Sequence, residues 1–378
     1  MRSLTNTKHV RKYMTSSPKQ SEACGICLAP GDSVNHLDHL APLAYIMEMP
    51  LVVDVEFLTG VMETYYPQVK WLYIDHHAKI LEYFAHNHNL LFVSSANYRK
   101  DLSPLFEVIF RKQMKFWYCP HGNSDKSIET FKDQHYFFTY GPIMEERLQE
   151  SGIFDTARGH VRTGNYRYPF YKEHMDFYDN LVEKEVFSFF AKKQTTLLYA
   201  PTWQDLEHSS SFIDVGLAVP EQLPDHYNLI IKLHPWLIHY KPGYVAHLEE
   251  KYRDVNNVVV LSQYPLVLPL LKRTDIYLGD FSSIGYDFLY YNRPMFFFEG
   301  SQWKKPKNYS SYLHQCGIVI PNTSYDKIFP FIEGNLKAQE TLKPIRTNIY
   351  ERAFGKHLSF DEIREGVFET LSQHSAVK

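Results

Sequence analysis

The sequence predicts an α/β protein of two parallel-sheet domains, and two observations carry that prediction. Short apolar runs rich in β-branched and aromatic residues alternate with stretches of helical period, the pattern of strands joined by covering helices. The alternation occurs twice, on either side of a polar, helix-like stretch at about 170–193. A length of 378 residues agrees, since about 100–200 residues make one domain.

In the first half, strands are predicted at Leu51–Val55, Trp71–Ile74, Leu90–Val93, Lys115–Tyr118 and Tyr136–Tyr140, with helices at Ala78–Asn87 and Ile143–Ser151. In the second, Thr196–Ala200, Asn228–Lys232, Asn257–Leu261, Asp275–Leu278 and Met295–Phe298 read as strands, and Pro242–Arg253 and Ser283–Tyr291 as helices. Runs such as Leu90–Val93 and Met295–Phe298 are apolar without a break. Strands read that way when helices cover both faces of a parallel sheet. The expected organisation is a basic tail over 1–22, a Rossmann-like domain over 23–180, a second over 190–352 and a C-terminal helix over 353–378. The two sheets would face a cleft, and ligands would lie beyond the carboxyl ends of the strands.

Composition excludes several classes. Lys plus Arg number 40 and Asp plus Glu 43, a formal charge of −3, so the broad cationic excess of a protein that coats nucleic acid is lacking. With 44% hydrophobic and 22% charged residues, wholesale disorder is excluded too. Aromatic residues reach 16%; they are expected to fill strand cores and, at Tyr166, Tyr168, Trp203 and Trp236, to line the cleft. Four cysteines cannot form a disulfide framework and fit a reducing compartment. Cys24 and Cys27 have the spacing of a zinc or redox pair, but no second pair is near, and a structural role is the expected one. The most apolar stretches, near 257–271 and 286–298, are interrupted by Gln263, Pro265 and Pro269, or by Asp287, Arg293 and Pro294, so no membrane span is expected. With no secretory leader pattern, a cytoplasmic protein is expected. In the tail, Arg2, Lys8, Arg11, Lys12 and Lys19 meet no acidic residue before Glu22. A solvated tail is the plain reading; attraction to an anionic membrane surface is the sharper one.

The strand ends collect the groups suited to a ligand. Lys115–Tyr118 leads into Cys119-Pro-His121-Gly122, with Lys126 beyond. Thr196–Ala200 leads into Pro201-Thr202-Trp203-Gln204-Asp205, and Asn228–Lys232 into Leu233-His234-Pro235. Asp275–Leu278 leads into Gly279-Asp280-Phe281-Ser282-Ser283 and then a helix. Backbone N–H groups and hydroxyls at such a turn suit an anion, although either serine is equally suited to capping the helix. Three such loops in one half favour a phosphate-bearing ligand.

These blocks, in this order and running on to Asn292-Arg293-Pro294, resemble the CDP-glycerol glycerophosphotransferase family, which includes the primases and polymerases of teichoic acid. The resemblance covers roughly 115–300. It implies a GT-B fold in which the C-terminal domain binds the nucleotide donor and the N-terminal domain the acceptor. The implied reaction moves glycerol phosphate, or a related polyol or sugar phosphate, from a CDP-activated donor to a hydroxyl, releasing CMP. The implied acceptor is a lipid-linked glycan or teichoic-acid-like chain, no cofactor or metal is required, and the enzyme works at the inner face of the cell membrane. By the same resemblance His121 is the base and His234 binds the donor phosphates and assists the leaving group. Lys232, Thr202, Ser282 and Ser283 complete the diphosphate cradle, and Asp280 holds glycerol or orients a neighbour. Gly164 and Arg167 keep two positions of the family's Gly-x-Pro-Arg-x-Asp segment, on the donor side, whereas its Pro and Asp positions are not kept. Lys126 and His39 fall on the acceptor side. The extra N-terminal region of the large polymerases has no counterpart, so single transfer is expected rather than processive polymerisation.

Two constellations in the first half stand apart. His36-Leu-Asp38-His39 precedes the apolar run from Leu40, so Asp38 is expected to cap a helix whose start points into the cleft. Asp75-His76-His77 spells the triplet of DHH phosphoesterases, which hydrolyse phosphoesters with paired metals; it provides the alternative reading, although Asp32 and Asp38 do not supply the further Asp-x-Asp spacing. A non-catalytic nucleotide-binding scaffold is the third reading. His86 and His88, in an Asn-rich turn, are expected to be solvated.

Overall fold

A computed structural model describes residues 25–29, 34–123, 128–203, 208–301 and 312–373. The first-half strands are β1 (Gly25–Leu28), β2 (Leu51–Val53), β3 (Trp71–Tyr73), β4 (Leu90–Val93), β5 (Lys115–Tyr118), β6 (Tyr136–Thr139) and β7 (Gly159–Arg162). They lie parallel in the order β3-β2-β1-β4-β5-β6-β7. The second-half strands are β8 (Thr195–Ala200), β9 (Tyr227–Lys232), β10 (Val258–Leu261), β11 (Ile276–Gly279), β12 (Met295–Phe298) and β13 (Ile318–Ile320). These are parallel too, in the order β10-β9-β8-β11-β12-β13. Both sheets therefore reverse strand order beside their first strand, and the crevice at such a switch point is where open sheets bind ligands.

All strands predicted from the sequence are present, and β1, β7 and β13 are additional. β7 is an edge strand whose side chains are mostly not fully buried, so it has no apolar run to announce it. β13 is only three residues long. Asp38 does not cap a helix: the helix begins at Val34 and runs to Ile46, placing Asp38 in its interior with its carboxylate bonded across the fold. His86 is exposed as expected, but His88 is buried against Tyr83 and Phe84. Cys27 is fully buried in β1, where burial pushes its thiol well up, the environment of a structural rather than a reactive cysteine. Cys24 and the basic tail lie outside the described residues.

The halves are joined by helices Arg167–Glu173 and Met175–Glu185. After the second sheet, helices Lys343–Phe354 and Phe360–Gln373 return the chain to the first sheet. There Ile363, Val367 and Leu371 are buried, and Gly366 lies over Val161 of β7. One apolar core runs through Leu40 and Phe138, the linking Phe170 and Tyr178, Tyr277 and Phe297 of the second sheet, and Phe354 and Val367. The two sheets thus share packed side chains, and packed interiors resist continuous deformation, so the core sets how the cleft edges face each other. Among the described residues no helix is long and apolar enough to cross a membrane.

Candidate active site

A cavity of about 580 Å³ opens between the two sheets. The first half supplies Asp38, His39, His121 and Gly122, the linking helix Arg167, and the second half Thr202, Trp203, Lys232, His234, Ser282 and Ser283. Residues distant in sequence meet here because both sheets direct their strand ends at the same space.

Lys232 ends β9 and is only 4% exposed. Among the described residues its amine has no hydrogen-bond or ion-pair partner. Burial lowers its pKa to about 8, with the charge of Asp38 working against that shift. A buried ammonium is costly unless an anion meets it, so this position is built for a negative ligand. His234 lies two residues on, and its Nδ1 accepts the Trp236 backbone N–H at 3.2 Å. In the neutral ring the proton then sits on Nε2, as a donor. Trp203 flanks His234, with ring centroids 6.1 Å apart, and packs on Trp236 at 5.7 Å.

Asp280 is fully buried and does not line the cavity. Its carboxylate accepts the backbone N–H of Thr202 at 2.7 Å and that of Ser211 at 3.2 Å. It therefore ties the loop after β8 to the loop after β11, holding Thr202 and the serines in register. Ser282 occupies the N-cap position of the following helix, yet its hydroxyl makes no capping bond. That oxygen pairs only loosely with the Tyr277 hydroxyl, at 3.5 Å.

Across the cavity, the His121 loop is anchored by Tyr140. The Tyr140 hydroxyl donates to the Pro120 carbonyl at 2.7 Å and accepts the Gly122 N–H at 3.2 Å. His39 Nδ1 lies 3.1 Å from the same hydroxyl. With the tyrosine proton committed to Pro120, His39 donates from Nδ1. Gly122 has φ +129°, and a Cβ there would lie 2.4 Å from the Ser283 Cβ. Only glycine permits both the backbone conformation and that approach, so the loop of one domain rests directly on the serine turn of the other. His121 is exposed to the cavity, and the protein packed around its ring holds its pKa below the ordinary 6.5. A hydrogen bond to the Ser94 main chain acts in the opposite sense.

Arg167 is 1% exposed and is held between two carboxylates. One is Asp38 of the first half; the other is Asp287 of the second, at 2.5 Å. Burial opposes its charge, but Asp287 and Asp38 outweigh it and keep the guanidinium protonated. Tyr171 donates to Asp38 at 2.6 Å and Asn165 to Asp287 at 3.0 Å. Arg167 is thus an interdomain clamp on the cavity wall. Gly164 does not line the cavity: at φ +66°, its missing Cβ would lie 2.7 Å from the Lys356 carbonyl.

The structure thus brings His39, His121, Arg167, Thr202, Lys232, His234, Ser282 and Ser283 to one cavity. Lys126 lies outside the described residues. Tyr166 is fully buried and stacked on Tyr140 rather than lining the cleft; Tyr168 packs on Tyr290 at 3.9 Å. The Asp75-His76-His77 triplet serves its own helix: His76 Nδ1 accepts the Ala78 N–H, Asp75 pairs with Lys79 at 2.8 Å, and His77 is largely exposed. Among the described residues, no three His, Cys, Asp or Glu side chains gather as a metal would require. Sequence reasoning named His36 without assigning it a role. It lies behind His121, with ring centroids 4.2 Å apart. Its i, i+3 spacing to His39 was the available signal, since that spacing puts both rings on one face of a helix.

Two parallel-sheet domains enclosing an anion-suited cavity define a GT-B-like α/β fold, and the solved structures agree. A variant of the wall teichoic acid polymerase TagF soaked with CDPG is similar at a TM-score of 0.64 and 15% identity, covering 93% of this chain and 90% of that one. The S. aureus MnaA–UDP structure reaches 0.61 at 14% identity, covering 92% and 97%. UDP-GlcNAc 2-epimerase from Neisseria meningitidis bound to UDP-GlcNAc reaches 0.56 at 12%, covering 91% and 100%. No curated protein matches the sequence. The model of the CDP-glycerol:poly(glycerophosphate) glycerophosphotransferase family matches residues 124–311 of this chain. The chain is a CDP-glycerol glycerophosphotransferase-like enzyme.

Proposed function

We propose that the protein transfers glycerol phosphate, or a closely related polyol phosphate, from a CDP-activated donor to an acceptor hydroxyl and releases CMP. One observation carries the residue assignment: Gly122 seats the His121 loop on Ser283, so a base from one domain faces the anion-binding loops of the other. The donor diphosphate lies against Lys232, His234, Thr202, Ser282 and Ser283. The acceptor hydroxyl enters from the His39 side, and His121 takes its proton. The acceptor oxygen then bonds to the phosphorus that bears glycerol. The bond from that phosphorus to the oxygen bridging to CMP breaks, its electron pair leaves on CMP, and His121 later returns the proton to solvent. Offsetting the charge on the leaving group is the largest catalytic contribution in reactions of this kind. Lys232 and the Nε2–H of His234 supply that offset, so the reading requires no metal. A teichoic-acid-like or other lipid-linked chain is the acceptor class, placing the enzyme beside the cytoplasmic membrane face.

The test is CMP release from CDP-glycerol in the presence of acceptor, with and without a chelator. Release that survives chelation is expected. Metal-dependent phosphoester hydrolysis would support the phosphoesterase reading instead, and donor binding without turnover the scaffold.

Lys232 adds a pH signature. The cradle holds the diphosphate only while the amine is protonated, so kcat/KM for the donor is expected to fall as pH rises through about 8, since this ratio reports the free enzyme. Folding stability should move the other way. A lysine whose folded pKa lies below its unfolded value binds fewer protons when folded, so its contribution to stability rises with pH from about 8 towards 10.5. Lys232→Arg should remove the alkaline limb, because a guanidinium stays charged. A limb that persists in that variant would assign it to another group.

A further inference from the structure

We propose that His36 and Ser94 form a positioning pair that holds the His121 ring with one nitrogen turned to the acceptor hydroxyl, an inference that rests on His121 being the base. Ser94 directly follows β4 and is fully buried. Its hydroxyl lies 2.7 Å from His36 Nδ1. Its main chain bonds the ring of His121, and because that bond favours the protonated imidazole, the ring is its donor. One residue therefore grips both histidines.

The bond to Ser94 occupies one nitrogen of His121 as an N–H. In the neutral ring the other nitrogen carries the lone pair, and the tautomer of a histidine is set by the partner of its second nitrogen in just this way. A single main-chain bond leaves the ring free to swing about its own axis. His36 removes that freedom: its ring lies 4.2 Å from that of His121, tilted by 40°, and is itself fixed by the Ser94 hydroxyl and by helix Val34–Ile46.

The pair also suits a base that must accept a proton. Burial and the nearby charges of His121 and His234 keep His36 well below its ordinary pKa. His39 on the same helix is held down too, by burial and by the charge of Arg167. His36 is thus a neutral neighbour when His121 becomes an imidazolium, and neither histidine of that helix opposes the step as a cation. His36 touches neither donor nor acceptor in this arrangement, since it does not line the cavity. Its contribution is orientation, which is worth large factors when misplacement approaches 1 Å.

The test uses the full chain with His36→Phe, which keeps a ring but removes its hydrogen bond, and Ser94→Ala, which removes only the hydroxyl. Each is expected to lower kcat by about 10- to 100-fold with the donor KM unchanged. The double variant should lose no more than the worse single variant, as expected for groups acting as one unit. Nitrogen-15 relaxation of the His121 imidazole gives a readout independent of activity: a rigid ring in the parent protein, a mobile one in both variants. Unchanged kcat with a rigid ring, or losses confined to KM, would overturn the pair. His121→Ala run in parallel separates the two ideas. If it retains turnover, the base assignment fails; if it abolishes turnover while His36→Phe and Ser94→Ala act normally, only the positioning role fails.

Discussion

Replacing His121 with alanine is expected to lower kcat by about 10²–10⁴-fold, the usual range for a positioned general base, while the Kd for CDP-glycerol stays unchanged. The expectation follows from the division of the cavity. The groups assigned to the diphosphate lie after β8, β9 and β11, whereas His121 reaches the cavity from the far side on the loop after β5. Its ring is held below the ordinary histidine pKa by the protein packed around it, so it is a neutral proton acceptor at neutral pH. The acid limb of kcat/KM should accordingly lie below 6.5, and rate should fall as pH drops through it. Calorimetric titration with the donor, beside steady-state kinetics, checks both halves of the statement. Loss of donor affinity in the alanine variant would assign His121 to the donor and return the question of the base to His39.

Arg167→Met should destabilise the fold by about 3–5 kcal/mol, the cost of leaving a buried charge without its partner. The figure is large because the arginine serves two carboxylates, Asp38 and Asp287, both nearly inaccessible, and they come from opposite domains. The variant Asp38→Asn, Arg167→Met, Asp287→Asn should recover most of that loss, since swapping a whole buried ionic group for neutral residues is often close to neutral. Urea unfolding of both proteins measures the difference. A variant Arg167→Met as stable as the parent would mean that the clamp is not set in the folded protein. Full stability with lost donor affinity would show instead that the guanidinium contacts the donor.

Much of this protein was legible one residue after another. Continuous apolar runs such as Leu90–Val93 and Met295–Phe298 are what a strand buried on both faces must be, and the helices between them need period and length that no other element shares. The loops after those strands could be listed for the same reason, which is how His121, Thr202, Lys232, His234, Ser282 and Ser283 were found. The edge strand β7 escaped because a half-exposed strand needs no apolar run, and Asp38 was misplaced because a helix start has a weaker signature than a helix face.

Roles that depend on a partner had to wait for the fold. Arg167 and Asp280 read as ligand groups in the chain; in space, one clamps two domains through Asp38 and Asp287, and the other pins the loop of Thr202. His36 gained its importance only through Ser94, which lies 58 residues away in sequence. The sequence alone determined which segments form strands and which loops reach the cleft, because periodicity and burial are local. Which of those side chains are spent on one another and which are left for a ligand was decided by tertiary structure, because charge pairing and desolvation depend on groups that only the fold brings within a few ångströms. Lys232, buried and still unmatched among the described residues, is the clearest product of that second kind.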